Sequence, residues 1–182
     1  MRLSICASAA VLISLLVTSH VVAQDSGSQP RAEIKMIVGA SDFGTDDKSY
    51  PHFVVGAATR IRITRHWAIE PEVNYMRRSS NDEDYVGQLS VVYEFNRIED
   101  RVVPYLIGGG GYMRHKSVFN GSDFVTGAPI TYDTSYRTWT ASAGAGLKIF
   151  ISKHLFVAPE ARLGREPSAR ATVSIGYAFP VN

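Results

Sequence analysis

The sequence predicts an all-β protein, an eight-stranded antiparallel up-and-down transmembrane β-barrel. Three observations carry that expectation. From Arg31 onward apolar and polar side chains alternate with a period of two, the pattern of a strand whose faces meet different surroundings. Eight segments show it, at 32–40, 53–63, 67–77, 85–95, 103–113, 137–150, 155–164 and 170–179, and seven of them have the nine to eleven residues a tilted strand needs to cross a bilayer. Short links at 64–66, 96–102 and 151–154 alternate with longer polar ones at 41–52, 78–84 and 114–136, and with a brief one at 165–169, so successive hairpins point opposite ways.

Each segment sorts into two faces. The first carries Glu33 and Lys35 on its polar face, and the second carries Arg60 and Arg62 with the small Gly56 and Ala58. The third is the clearest, with Trp67, Ile69, Pro71, Val73 and Tyr75 against Ala68, Glu70, Glu72, Asn74 and Met76. Ser90 and Glu94 oppose Tyr85, Tyr93 and Phe95 in the fourth; Gly108, Gly110 and Arg114 are assigned to the polar face of the fifth, opposite Tyr105. The sixth sets Ser142, Gly144, Gly146 and Lys148 against Trp139. In the seventh, Glu160 and Arg162 share a face with Phe156, Ala158 and Gly164, and in the eighth Arg170 and Gly176 oppose Tyr177 and Phe179.

The polar face thus gathers five acids and seven bases among small residues. A soluble sandwich would turn these charges outward, but the aromatic residues near the strand ends of the other face are what membrane girdles require. In a narrow barrel side chains fill the interior, and glycines make room for arginines that pair with glutamates. Arg60, Arg62, Glu70, Glu72, Glu94, Lys148, Glu160 and Arg162 are therefore expected to form a structural ion-pair network in the lumen. Pro71 and Pro159 each remove a ladder donor, which predicts a local bulge or twist.

One hairpin recurs. ITRHWAIEPE at 63–72 and ISKHLFVAPE at 151–160 share four of ten positions, Ile, His, Pro and Glu, and the likeness extends back through 53–62 and 141–150. Both copies read as a strand end, a tight turn and a strand start.

The ends and the charge bound the rest. Arg2, the apolar run 5–17 and Val21-Val22-Ala23 predict a signal peptide at 1–23, followed by a short tail at 24–30 and the barrel domain at 31–182. Cys6 falls in that signal, so no disulfide is expected. A formal net charge of +2 over 182 residues gives no nucleic-acid footprint.

HWAIEPEVNY at 66–75, VPYLIGGGGY at 103–112, GAGLKIF at 144–150 and ATVSIGYAF at 171–179 make the chain resemble the small eight-stranded outer-membrane β-barrel family that includes OmpX and the transmembrane domain of OmpA. That resemblance implies location in the cell outer membrane, contact with membrane lipid and lipopolysaccharide, and insertion by the barrel-assembly machinery. It implies no cofactor and a non-enzymatic role in envelope integrity or surface interaction through the loops. The family's terminal aromatic residue is displaced, Phe179 being followed by Pro180, Val181 and Asn182.

Arg77, His115, Arg137 and Arg165 continue the outward-facing sets of their strands near the loop end and are expected to contact lipopolysaccharide phosphates, since guanidinium matches phosphate geometry. A lipid-A-modifying enzyme is the alternative, resting on His52, His115 and Ser117, and a narrow porin-like channel is a third reading. The glycine run 108–111 lacks the Lys-Ser or Lys-Thr of a phosphate loop and reads as close packing in a strand. His66 and His154 belong to different turns, so no metal site is expected from them. Asp42, Asp46, Asp47, Asp82, Glu83, Asp84, Asp123 and Asp133 read as solvated loop charge without the spacing of an EF-hand. Asn120 matches a glycosylation pattern that an outer-membrane location makes irrelevant.

Overall fold

A computed structural model describes residues 32–44, 49–79, 81–95, 101–122 and 129–179. The expected signal peptide, the N-terminal tail, Asp46, Asp47, Asp123, the side chain of Asn120 and the residues after Phe179 lie outside this description.

Eight strands form: β1 (Ala32–Asp42), β2 (Pro51–Arg62), β3 (Trp67–Ser79), β4 (Asp82–Glu94), β5 (Val102–Ser122), β6 (Pro129–Phe150), β7 (Leu155–Arg165) and β8 (Ala169–Phe179). Each pairs antiparallel with its neighbours in sequence, and β1 pairs with β8 from Ala32↔Phe179 to Asp42↔Ala169, so the sheet closes into a barrel without an open edge. No helix among the described residues is long and apolar enough to cross a membrane.

The apolar side chains face outward. Trp139, Leu163 and Met36 are each 71% exposed, and Ile34, Val38, Leu89, Val91, Leu106, Val173 and Ile175 line the same outer surface. Two aromatic girdles bound this belt. At the short-turn end Trp67, Tyr93 and Phe95 stack edge to face in series, as do Tyr177 and Phe179. At the other end Tyr75 packs on Tyr85, and Tyr112 on Trp139. Trp67 and Tyr75 lie eight residues apart on β3. At about 3.4 Å per residue and a tilt of roughly 40°, they are separated along the barrel axis by about 20 Å, near the height of a lipid-facing band.

The repeated decamers are chemically matched turns. Ile63 and Thr64 donate to Trp67 O, and Ile151 and Ser152 donate to Leu155 O. Thr64 Oγ1 accepts from the Trp67 amide at 3.1 Å, and Ser152 Oγ from the Leu155 amide at 3.1 Å. Each histidine then ties its turn to the next strand through its carbonyl, His66 O accepting from Glu94 N and His154 O from Ala178 N, both at 2.8 Å. The repetition is thus explained by turn closure.

Three expectations need correction. Pro71 and Pro159 produce no bulge: the ladders skip the bridges beside them, between Ala58↔Glu72 and Ile61↔Ile69 and between Gly146↔Glu160 and Ile149↔Val157, but register is unchanged on either side. A missing donor removes a bond, and the pairs above and below still hold the strands in place. The long links at 78–84 and 114–136 are largely strand, because antiparallel pairing satisfies backbone groups in water as well as in lipid, whereas apolar alternation vanishes once both faces are wet.

The third correction concerns β5, whose faces are reversed. Val103, Tyr105, Ile107 and Met113 are buried, whereas Leu106, Tyr112 and Arg114 face out. Tyr105 lies opposite Gly146, where any Cβ would collide with its ring, just as Phe156 fills the space left by its partner Gly176. The large inward rings therefore depend on glycines across the ladder.

Candidate functional site: lumen, mouth and outer rim

The strands deliver their charged side chains to one lumen in which neighbouring layers interlock. Glu94 accepts from Lys148 Nζ at 2.6 Å, from Arg60 Nη1 at 2.8 Å and from Arg62. Glu33 takes a second bond from Lys148 at 2.7 Å. Glu70 is held by Arg60 at 2.6 Å and Lys35 at 2.8 Å. Arg162 bridges Glu160 at 2.6 Å and Glu72 at 2.8 Å, and Arg170 closes on Glu72 at 2.6 Å. Tyr105 donates its hydroxyl to Glu160 at 2.9 Å and lies under the Arg60 guanidinium at 4.5 Å.

With Arg114 outside, five carboxylates face six cations, Lys35, Arg60, Arg62, Lys148, Arg162 and Arg170, in the lumen. Removing a charge from water costs several kcal/mol, so such burial is tolerable only where each ion has partners on several sides. Short bonds from different strands supply them here. Arg60, Glu70, Glu94, Lys148 and Arg162 are all buried, which leaves the lumen filled rather than open.

Toward the long-loop end the network stops at an apolar layer of Val54, Met76, Val86 and Met113. Above it, His115 faces the mouth and places Nδ1 2.7 Å from Asp84 Oδ1. The expectation that His115 projects outward beside Arg77, Arg137 and Arg165 is therefore corrected, and the reversed parity of β5 is the reason. Its place on the outer surface belongs to Arg114. Asp84, read from sequence as solvated loop charge, is buried in the same mouth.

Arg77, Arg114, Arg137 and Arg165 are all exposed. Arg114 lies directly opposite Arg137 and beside Tyr85, one outward position beyond Tyr112 and Trp139. Arg77 is opposite Glu83 and donates Nε–H to Ser79 O at 3.0 Å, and Arg165 is opposite Ala141. Like charges facing each other across a ladder repel, so the Arg114–Arg137 pair suits a surface where anions gather.

At the rim beyond the girdle, the Asp42 carboxylate accepts from Tyr50 N at 2.7 Å and from Gly44 N and Ser49 Oγ at 3.0 Å. The Tyr50 amide bond, more than the other two, holds that carboxyl below its ordinary pKa.

A closed eight-stranded barrel with an apolar exterior, two girdles and an ionic interior agrees with what the chain matches. Residues 9–179 fit the family model described as outer membrane protein beta-barrel domain. The chain belongs to that family. It is an outer-membrane protein, and its lipid-facing belt follows from that location. No curated protein matches it.

Solved structures share the fold at low identity. The N-terminal β-barrel domain of OprF from Pseudomonas aeruginosa has a TM-score of 0.62 and 16% identity, over 84% of this chain and 100% of that one. Neisserial surface protein A has a TM-score of 0.64 and 12% identity, over 84% and 100%. Ail, the attachment invasion locus protein of Yersinia pestis, has a TM-score of 0.54 and 16% identity, over 84% and 99%.

Proposed function

We propose that this outer-membrane barrel is a non-enzymatic surface protein that holds lipopolysaccharide at its outer rim, contributes to envelope integrity and presents its longest hairpin to the outside. Its insertion by the barrel-assembly machinery belongs to the same proposal. The observation that carries the lipopolysaccharide reading is the opposed, outward Arg114–Arg137 pair just beyond the aromatic girdle, with Arg77 and Arg165 exposed at the same end. Two guanidiniums held face to face suit a phosphate that bridges them, each donating paired N–H groups.

The reading replaces His115 with Arg114 in the lipopolysaccharide-contacting set. His115 has a buried carboxylate as its partner and faces the mouth, away from lipid, which also weakens the case for His115 and Ser117 as lipid-A-modifying residues. Replacing Arg77, Arg114, Arg137 and Arg165 together by alanine is expected to lower the lipopolysaccharide that co-purifies with folded barrel by about half or more. Retention at the wild-type level would overturn the assignment, and altered lipid A in cells making the protein, read by mass spectrometry, would favour an enzyme instead.

A further inference from the structure

We propose that the outer mouth of the barrel contains a binding site for a divalent transition metal of the zinc class, formed by His52 Nε2 and one carboxylate oxygen each from Asp82 and Asp84. These three ligand atoms lie within 4.8 Å of one another. Metal bonds of about 2.0–2.2 Å at tetrahedral angles put neighbouring ligands about 3.3–3.6 Å apart. His52 Nε2 is 3.6 Å from Asp84 Oδ2 and 3.8 Å from Asp82 Oδ2, so these two edges need only a small inward movement, while the two carboxylates, within 4.8 Å of each other, close on the ion by turning their side chains.

The surroundings prepare each ligand. The ring of His52 is bonded through Nδ1 to Tyr50 O at 2.7 Å. Since a carbonyl only accepts, Nδ1 carries a proton, and it is Nε2 that faces the two carboxylates and is left to bind an ion. That is the arrangement in which metal-ligating histidines are usually oriented. Phe43 packs edge-on against the same ring at 4.6 Å. His115 holds Oδ1 of Asp84 at 2.7 Å and leaves Oδ2 for the ion.

Two of these ligands are deeply buried and unsatisfied. The His52 side chain is 4% exposed and that of Asp84 1%, and neither His52 Nε2 nor Asp84 Oδ2 has a hydrogen-bond partner. Buried polar atoms without partners are costly, and a cation held between the imidazole nitrogen and the carboxylate satisfies both. Among the described residues the basic side chains that approach Asp82 and Asp84 are His52 and His115, with no lysine or arginine. The apolar layer of Val54, Met76, Val86 and Met113 separates this pair from the cations below. One imidazole with two carboxylates selects zinc-like ions over calcium or magnesium, which prefer oxygen alone. Asp82 is 21% exposed, so the ion has an entry path from outside and an open position for water or an external ligand.

The test uses detergent-folded, tag-free mature protein titrated with zinc chloride, with affinity read by calorimetry and stoichiometry by elemental analysis. Expected are one ion per barrel and an affinity at least about 100-fold weaker in His52→Ala. His115→Ala should lose about 10–100-fold, as removal of a ligand-orienting partner does, and His66→Ala and His154→Ala should bind as wild type. Heat-modifiable migration verifies folding, and the more exposed Asp82→Asn provides the test should His52→Ala fail to fold. No zinc bound by the wild type, binding that survives both His52→Ala and Asp82→Asn, or a preference for calcium overturns the proposal.

Discussion

Glu94 shows how one residue governs a large part of the interior. It ends β4 at the level where Arg60, Arg62 and Lys148 converge, and it accepts from all three. Glu94→Gln keeps the volume but leaves these cations to share Glu33 and Glu70, and a buried pair broken on one side costs about 3–5 kcal/mol. Urea unfolding in lipid vesicles should show that loss as a lower midpoint with an unchanged slope. Asp42 acts at the rim, through two part-buried bonds to Gly44 N and Tyr50 N and an exposed one to Ser49 Oγ. Its folded pKa is depressed, so its contribution is present above the unfolded value of about 4 and is lost as pH falls through the folded one. The protection of the Tyr50 amide, its exchange rate relative to an unstructured amide at the same pH, should therefore hold from neutral pH down to about 5 and fall in stronger acid, whereas Asp42→Ala should show little protection throughout.

Among the elements, β5 and β6 differ from the rest. Their ladder runs from Val102↔Ile149 to Ser122↔Pro129, but β4 accompanies β5 only to Ser117 and β7 accompanies β6 only to Ala141. The upper part is a two-stranded arm that leaves the barrel wall. Such a ribbon adds little to barrel stability, because its residues have one neighbour strand and no lipid. Replacing 118–133 by an Asn-Gly turn should leave heat-modifiable folding intact and shift stability by no more than about 0.5 kcal/mol in the same unfolding assay. A collapse of folding would show that the arm supports the wall.

At the scale of the whole molecule, closure and filling act together. The β1–β8 ladder removes the free edges, so every strand can sit in lipid, and the ionic interior then replaces the water that a wider barrel would hold. Tyr105, Phe156, Lys148 and Arg162 are among the largest fully buried side chains, and they enter the lumen from β5, β6 and β7. Planar bilayers containing the purified protein should consequently carry no steady current. Stable open steps under ordinary voltage would show that the network moves aside.

The sequence by itself determined the strand count, the antiparallel order, the two girdles and the inward direction of Glu70, Glu72, Glu94, Arg60, Arg62, Lys148, Glu160 and Arg162. Alternation with period two reads directly as two faces when one is apolar and the other charged. Alternation failed where both faces were apolar or both polar. In 103–113 either parity fits the residues, and only the pairing of Tyr105 with Gly146 and Glu94 decides that its ring points inward. The same decision moved His115 into the mouth and Arg114 out to the rim. The His52, Asp82 and Asp84 constellation was equally hidden, because His52 is on β2 and both aspartates are on β4, strands that are not neighbours in the sheet and meet only across the closed barrel. Shared parity at the strand ends was the one trace of it in the chain. Proximity across a closed sheet depends on register, and register depends on the packing of all eight strands at once.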